Sequence, residues 1–167
     1  MLQRVQTIFL FCVAVSMLLM LLFPIWEKGS IAQDQNEMIK IDAFKKVHVR
    51  VDQLEIEESA TLEEEQPTFW IAVFAVLAII AAITSIFKYK NRLTQIKFGA
   101  LNSIIISCAM GFSLYYAMNA EEMLNPETQG AYKLGFFMPV AALLFNLLAN
   151  RFIRKDEKLV KSVDRIR

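Results

Sequence analysis

Residues 69–118 read FWIAVFAVLAIIAAITSIF (69–87), KYKNRLTQIK (88–97) and FGALNSIIISCAMGFSLYYAM (98–118), two apolar runs joined by a short basic link. A hydrocarbon layer about 30 Å thick needs roughly 20 helical residues to cross it. Each run has about that length and contains no Asp, Glu, Lys, Arg or His. The link carries Lys88, Lys90, Arg92 and Lys97 without an acid. Basic residues close to span ends stay on the cytoplasmic side, so residues 88–97 are expected there. Further out, residues 5–25 and 134–153 form two more such runs, with Arg151 at the inner end of the last.

The remaining loops agree with this orientation. Residues 26–68 hold eleven acids and five bases, and residues 119–133 hold three acids and one base. Both are expected on the outer, periplasmic face. Counting Arg151, the tail holds seven bases against three acids and is expected inside, with the N-terminus. Trp26, Trp70, Tyr115, Tyr116 and Tyr132 collect at the outer span ends, where amphipathic rings prefer to sit, and Tyr89 marks the inner side. The first run has some features of a signal peptide, with Arg4 before it and Ser30-Ile31-Ala32 after it. It is longer than a signal core and separated from those small residues, so an uncleaved anchor is expected.

The predicted class is therefore an all-α membrane protein. It is a four-transmembrane-helix bundle with a small β-containing first periplasmic loop and a basic amphipathic C-terminal helix, in one domain over residues 1–167. The spans use about half of the 167 residues, which leaves no room for a separate soluble enzyme domain. The net charge of +1 gives no case for nucleic acid. Cys12 and Cys108 fall inside spans, without metal or redox spacing, and read as apolar filler.

In the first loop, Ile39, Ile41 and Ala43 alternate with polar residues, and Val47, Val49 and Val51 repeat the pattern after Lys45-Lys46. Two or three short strands are expected. A bulge or turn near Asp52-Gln53 would bring Leu54 and Ile56 into the opposite phase. So small a sheet must rest on the helix ends or pair with another protein. Glu55, Glu57, Glu58, Glu63, Glu64 and Glu65 lack the spacing of a calcium loop and read as a solvated acidic collar. His48 has no ligand-spaced partner for zinc, so no metal or cofactor is expected.

Within the spans, Gly99, Ser103, Ser107 and Gly111 recur every four residues, and Ala75, Ala78, Ala82 and Ser85 form a second narrow stripe. Small side chains let helix backbones approach, so both stripes are expected to be packing faces, joining the second and third helices. Asn102, Asn146 and Asn150 lie at overlapping depths, where an amide hydrogen bond between the third and fourth helices would satisfy groups costly in lipid. The alternative is a polar pocket. No ionisable residue at span depth suggests a proton relay or coupling-ion site. In the tail, Phe152, Leu159, Val163 and Ile166 share one helical face, and Arg154, Lys158, Lys161 and Arg165 another. Glu157 with Lys161 gives ordinary neutralisation within the helix. Together with Arg151, Lys155 and the inner-loop Lys88, Lys90, Arg92 and Lys97, these bases are candidates for binding lipid or a protein partner.

The opening Met1–Thr7, the inner loop Tyr89–Arg92 with Gln95–Lys97, and the ending Ala149–Ser162 with Asp164–Arg165 resemble the Bacteroidota membrane proteins grouped as domain-of-unknown-function family 4293. The likeness spans almost the whole chain, most specifically at the ending. It implies a four-helix protein of a Gram-negative inner membrane and supplies no catalytic residue. The expected role is a non-enzymatic accessory or scaffold subunit of an inner-membrane complex, in contact with membrane lipids and other membrane proteins, with no identifiable small-molecule substrate. The alternative is a small transporter or lipid-handling protein using Asn102, Asn146 and Asn150.

Overall fold

The computed structural model describes residues 3–31, 35–52, 60–89, 91–123 and 129–164. Its helices are α1 (Gln3–Leu22), α2 (Phe69–Phe87), α3 (Arg92–Glu121) and α4 (Leu134–Asp164). Each is long and apolar enough to cross a membrane. Each helix packs on the two next to it in a ring, α1 on α2, α2 on α3, α3 on α4 and α4 back on α1. The short link between α2 and α3 favours an antiparallel pair there. Between α2 and α3 the turn is fixed by Asn91, whose side chain accepts from the Thr94 backbone N–H at 3.2 Å and so caps an orphan donor of α3.

The core is built mainly from small or flexible side chains. Val13, Met17 and Met20 of α1, Ala75, Ala78 and Ala82 of α2, Ile106 and Ala109 of α3 and Ala142 of α4 are all fully buried. The outward faces carry large apolar residues such as Ile8, Phe11, Ile80, Ile104, Leu144 and Leu147, each about half exposed or more. This inverts the pattern of a water-soluble bundle, whose outer face is polar. Aromatic pairs brace two seams. Phe9 stacks on Phe152 with ring centroids 5.5 Å apart, and Phe74 stacks on Phe112 at 5.3 Å.

The first loop forms more sheet than its alternation suggests. Strands β1 (Trp26–Ile31), β2 (Gln35–Ile41), β3 (Lys45–Asp52), β4 (Ala60–Pro67) and β5 (Ala131–Tyr132) make one sheet in the order β4-β3-β2-β1-β5, antiparallel throughout. β1 and β4 were not expected, because WEKGSI and ATLEEEQP lack the alternation of a half-buried strand. β4 tolerates its acids as an edge strand, where charge discourages further pairing. β3 ends at Asp52, and Leu54 and Ile56 lie outside the described residues. The bulge or turn expected near Asp52-Gln53 falls where the described residues end, and a bulge that was not expected lies between His48 and Val49 against β4.

Register settles which side chains meet the bundle. Trp26 pairs with Ile41 and Ile41 with Lys46, while Lys28 pairs with Ile39 and Ile39 with His48. One face thus collects buried Trp26, Lys28, Ile39, Ile41 and Lys46, and Val47 and Val49 take the opposite one. Burying a lysine is costly unless it is paired. Lys28 Nζ, 1% exposed, meets Glu121 Oε1 at 3.1 Å and donates to the Glu121 carbonyl at 2.8 Å, at the end of α3. Glu121 also accepts from the Gly130 backbone N–H at 3.2 Å. The Lys46 ammonium lies 3.2 Å from Met123 Sδ. The sheet is therefore seated on the end of α3.

Lys28→Met keeps the aliphatic stem but strands the Glu121 carboxylate and carbonyl. Because Glu121 is itself 40% exposed, the expected loss is about 2 kcal/mol, less than the roughly 3–5 typical of a fully buried pair. A lowered thermal unfolding midpoint of the detergent-solubilised chain would show it, and an unchanged midpoint would not fit this anchoring.

Candidate functional site

Polar side chains inside the bundle gather toward the end opposite the sheet. Gln6 of α1, Ser85 of α2, Gln95 and Asn102 of α3 and Asn146 and Asn150 of α4 are all buried. Gln95 Nε2 donates to the Ser85 carbonyl at 2.9 Å, linking α3 to α2. Asn146 Nδ2 donates to the Gly99 carbonyl at 2.7 Å and to Ser103 Oγ at 2.8 Å, linking α4 to α3. These bonds satisfy groups that would be expensive to leave bare in an apolar interior.

The bridge between α3 and α4 therefore runs through Asn146, Gly99 and Ser103, and not through Asn102 as the overlapping depths suggested. Asn102 stands seven residues after Gln95, on the helix face turned toward α2. Both polar atoms of its amide lack a hydrogen bond among the described residues. The carbonyl oxygens of Asn146 and Asn150, Gln6 Nε2 and Ser85 Oγ are likewise buried and unbonded. Ser85 contributes through its backbone carbonyl, with Ala75, Ala78 and Ala82 buried on the same helix.

The expected small-residue face of α3 holds only over its first half. Gly99 lies directly under the Asn150 amide, so closely that any Cβ there would collide with it. Ser107 and Gly111 are exposed, and a Cβ on Gly111 would meet nothing within 4 Å. Steps of four residues overshoot the 3.6-residue turn, so such a stripe drifts round the helix. The buried positions of α3 alternate steps of three and four: Gln95, Gly99, Asn102, Ile106, Ala109 and Ser113. Ser103 and Ser107 each bond the carbonyl four residues back, so Ser107 reaches no other helix.

The basic candidates separate into three groups. Arg92 is committed within the fold, its guanidinium 3.0 Å from the Asp156 carboxylate and its second nitrogen 3.4 Å from the Asp156 carbonyl. This pair crosses from α3 to α4, where only pairing along the tail helix had been expected. Lys88 and Lys97 are exposed. Arg151, Arg154, Lys155 and Lys158 come together beside Asn150 and Ser103 along a groove of about 630 Å³ between α3 and α4. Lys90 and Arg165 lie outside the described residues, as does the Lys161 side chain.

No group of three His, Cys, Asp or Glu stands together to hold a metal among the described residues. His48 Nε2 lies 3.9 Å from the Glu37 carboxylate, beneath the sheet. Both cysteines are free thiols.

The two α3 glycines make a paired test. Gly99→Leu must displace Asn150 and separate α3 from α4, with an expected loss of about 3 kcal/mol or failure to accumulate. Gly111→Leu enters open space in a helix interior and is expected to leave stability equal or higher. Thermal unfolding of both variants in the same detergent decides it, and equal destabilisation would contradict the asymmetric packing.

No curated protein matches the chain. A family profile described as domain of unknown function DUF4293 matches residues 2–166, a span that includes the bundle, the sheet and the basic end of α4. On that match over essentially its whole length, the chain belongs to the DUF4293 family.

Proposed function

We propose that the chain is a non-enzymatic accessory or scaffold subunit of a protein complex in the inner membrane of a Gram-negative envelope. Its sheet faces the periplasm and both termini face the cytoplasm. The loop charges support this orientation, since the Lys- and Arg-rich segments all stand at the end opposite the sheet.

One observation carries the accessory role. α4 is a single helix of 31 residues, about 46 Å long, against a hydrocarbon thickness of about 30 Å. A helix that continues unbroken out of a span projects from the bilayer surface instead of lying along it. Its last turns leave Leu159 at 48% and Val160 at 42% exposure, next to uncommitted bases. An apolar patch with a basic rim on a projecting helix is suited to a groove on a partner protein. The Arg92–Asp156 pair braces the root of that projection.

The test is recovery of the tagged chain from its native membrane in mild detergent, with companions identified by mass spectrometry. Companions at constant ratio are expected, and Leu159→Asp with Val160→Asp is expected to release them while the chain still sediments with the membrane. Unchanged companions in the double variant would reject docking through α4. A second reading, a small transporter or lipid-handling protein, is favoured by the amide of Asn102 and the carbonyl oxygens of Asn146 and Asn150, all buried without a hydrogen bond among the described residues. Recovery as a lone chain, with solute flux or lipid movement in reconstituted vesicles that Asn146→Leu abolishes, would put it first.

A further inference from the structure

The groove between α3 and α4 lies where the apolar part of the bundle gives way to its basic end. Ala100 and Leu147 form its apolar side, and Arg151, Arg154, Lys155 and Lys158 its basic side. Its volume of about 630 Å³ falls within the roughly 300–1,000 Å³ of small-ligand sites. None of these four bases forms a salt bridge among the described residues, and no acid lines the groove. Asp156 is turned to Arg92, and Glu157 also has an interaction of its own. Four uncompensated cations around one concavity create a field that selects an anion.

A second feature points to the same ligand. Asn150 is only 8% exposed, yet it lines the groove, and its Oδ1 is buried without a hydrogen bond among the described residues. Gly99 beneath it leaves no room for retreat. Oδ1 is the amide atom nearest Gly99, which leaves Nδ2 to supply a neutral donor beside the charged ones, the mixture that phosphate oxygens accept from.

Apolar surface further along α3 tells a lipid from a free anion. Ser107 and Gly111 are exposed on α3 beyond Ser103, and Gly111 with Cys108, Phe112 and Tyr115 borders a separate, almost wholly apolar hollow of about 380 Å³. From Ser103 to Gly111 is about 12 Å along the helix, within the roughly 15 Å depth of one leaflet. We infer that the α3–α4 groove binds the phosphate headgroup of an anionic glycerophospholipid through Arg151, Arg154, Lys155, Lys158 and Asn150, with an acyl chain laid along Ser107 and Gly111. This rests on membrane residence as proposed above, but it does not require a protein partner.

The full-length chain is extracted from membranes, and its need for detergent is read first, as the separate test of membrane residence. Binding of phosphatidylglycerol, phosphatidylcholine and inorganic phosphate is then followed by native mass spectrometry and competition. Phosphatidylglycerol is expected to bind at one per chain in preference to phosphatidylcholine. Arg154→Gln with Lys158→Gln, both exposed, is expected to weaken it on the order of 30-fold. Gly111→Leu is expected to weaken the lipid several-fold and leave phosphate binding alone. Equal binding of the two lipids, or unchanged affinity in the double glutamine variant, would overturn the site. Phosphate competing as well as phosphatidylglycerol, or a lipid affinity indifferent to Gly111→Leu, would overturn the lipid assignment in favour of a free anion.

Discussion

The position of α4 depends on two points where only glycine permits the approach. Near its start, Gly135 donates its backbone N–H to the Pro24 carbonyl at 3.0 Å, with the Phe23 and Pro24 backbone occupying the space a Cβ would need. Halfway along, Asn150 lies on Gly99 of α3. Dispersion weakens steeply with distance, so bundles whose helices differ little from lipid in polarity gain cohesion mainly from such close contacts. Once α4 is held there, Asn146 can reach the Gly99 carbonyl and Ser103, Phe152 can stack on Phe9, and Asp156 meets Arg92. The groove beside Asn150 is the space this arrangement leaves.

The other end of the bundle solves a different problem. A sheet of short strands is marginal alone, and its inner face here carries two lysines among its apolar residues. Glu121 makes that face tolerable by receiving Lys28 on its carboxylate and carbonyl while also holding the Gly130 backbone. α3 is long enough, at 30 residues, to carry Glu121 beneath the sheet while its other end carries Arg92. One helix thus serves both the sheet anchor and the brace on α4.

Much of the architecture was legible because it follows from local composition. Four apolar runs, the basic link and the acidic loops can be read residue by residue, since the length and hydropathy of a helix do not depend on its neighbours. The alternation of Ile39, Ile41 and Ala43 identified for the same reason residues that are all buried, the first two on β2 and Ala43 in the turn after it. β4 was hidden because its acids follow from its edge position, which sequence does not reveal. Ser107 and Gly111 were misplaced because a four-residue stripe is a local regularity, whereas burial follows the slower rotation of the whole helix past its neighbours.

The sequence by itself determined four apolar segments, the sign of the charge at each end and the presence of a small sheet in the first loop. Each depends on residue type and periodicity alone. Only the tertiary structure decided that Asn146, and not Asn102, bridges α3 to α4, that Arg92 is spent on Asp156, and that Lys28 is buried against Glu121. It also decided that four tail bases converge with Asn150 on one groove. These pairings join residues between 43 and 93 positions apart, and they follow from the rotation and axial offset of each helix against the next, which close packing sets and no single segment encodes.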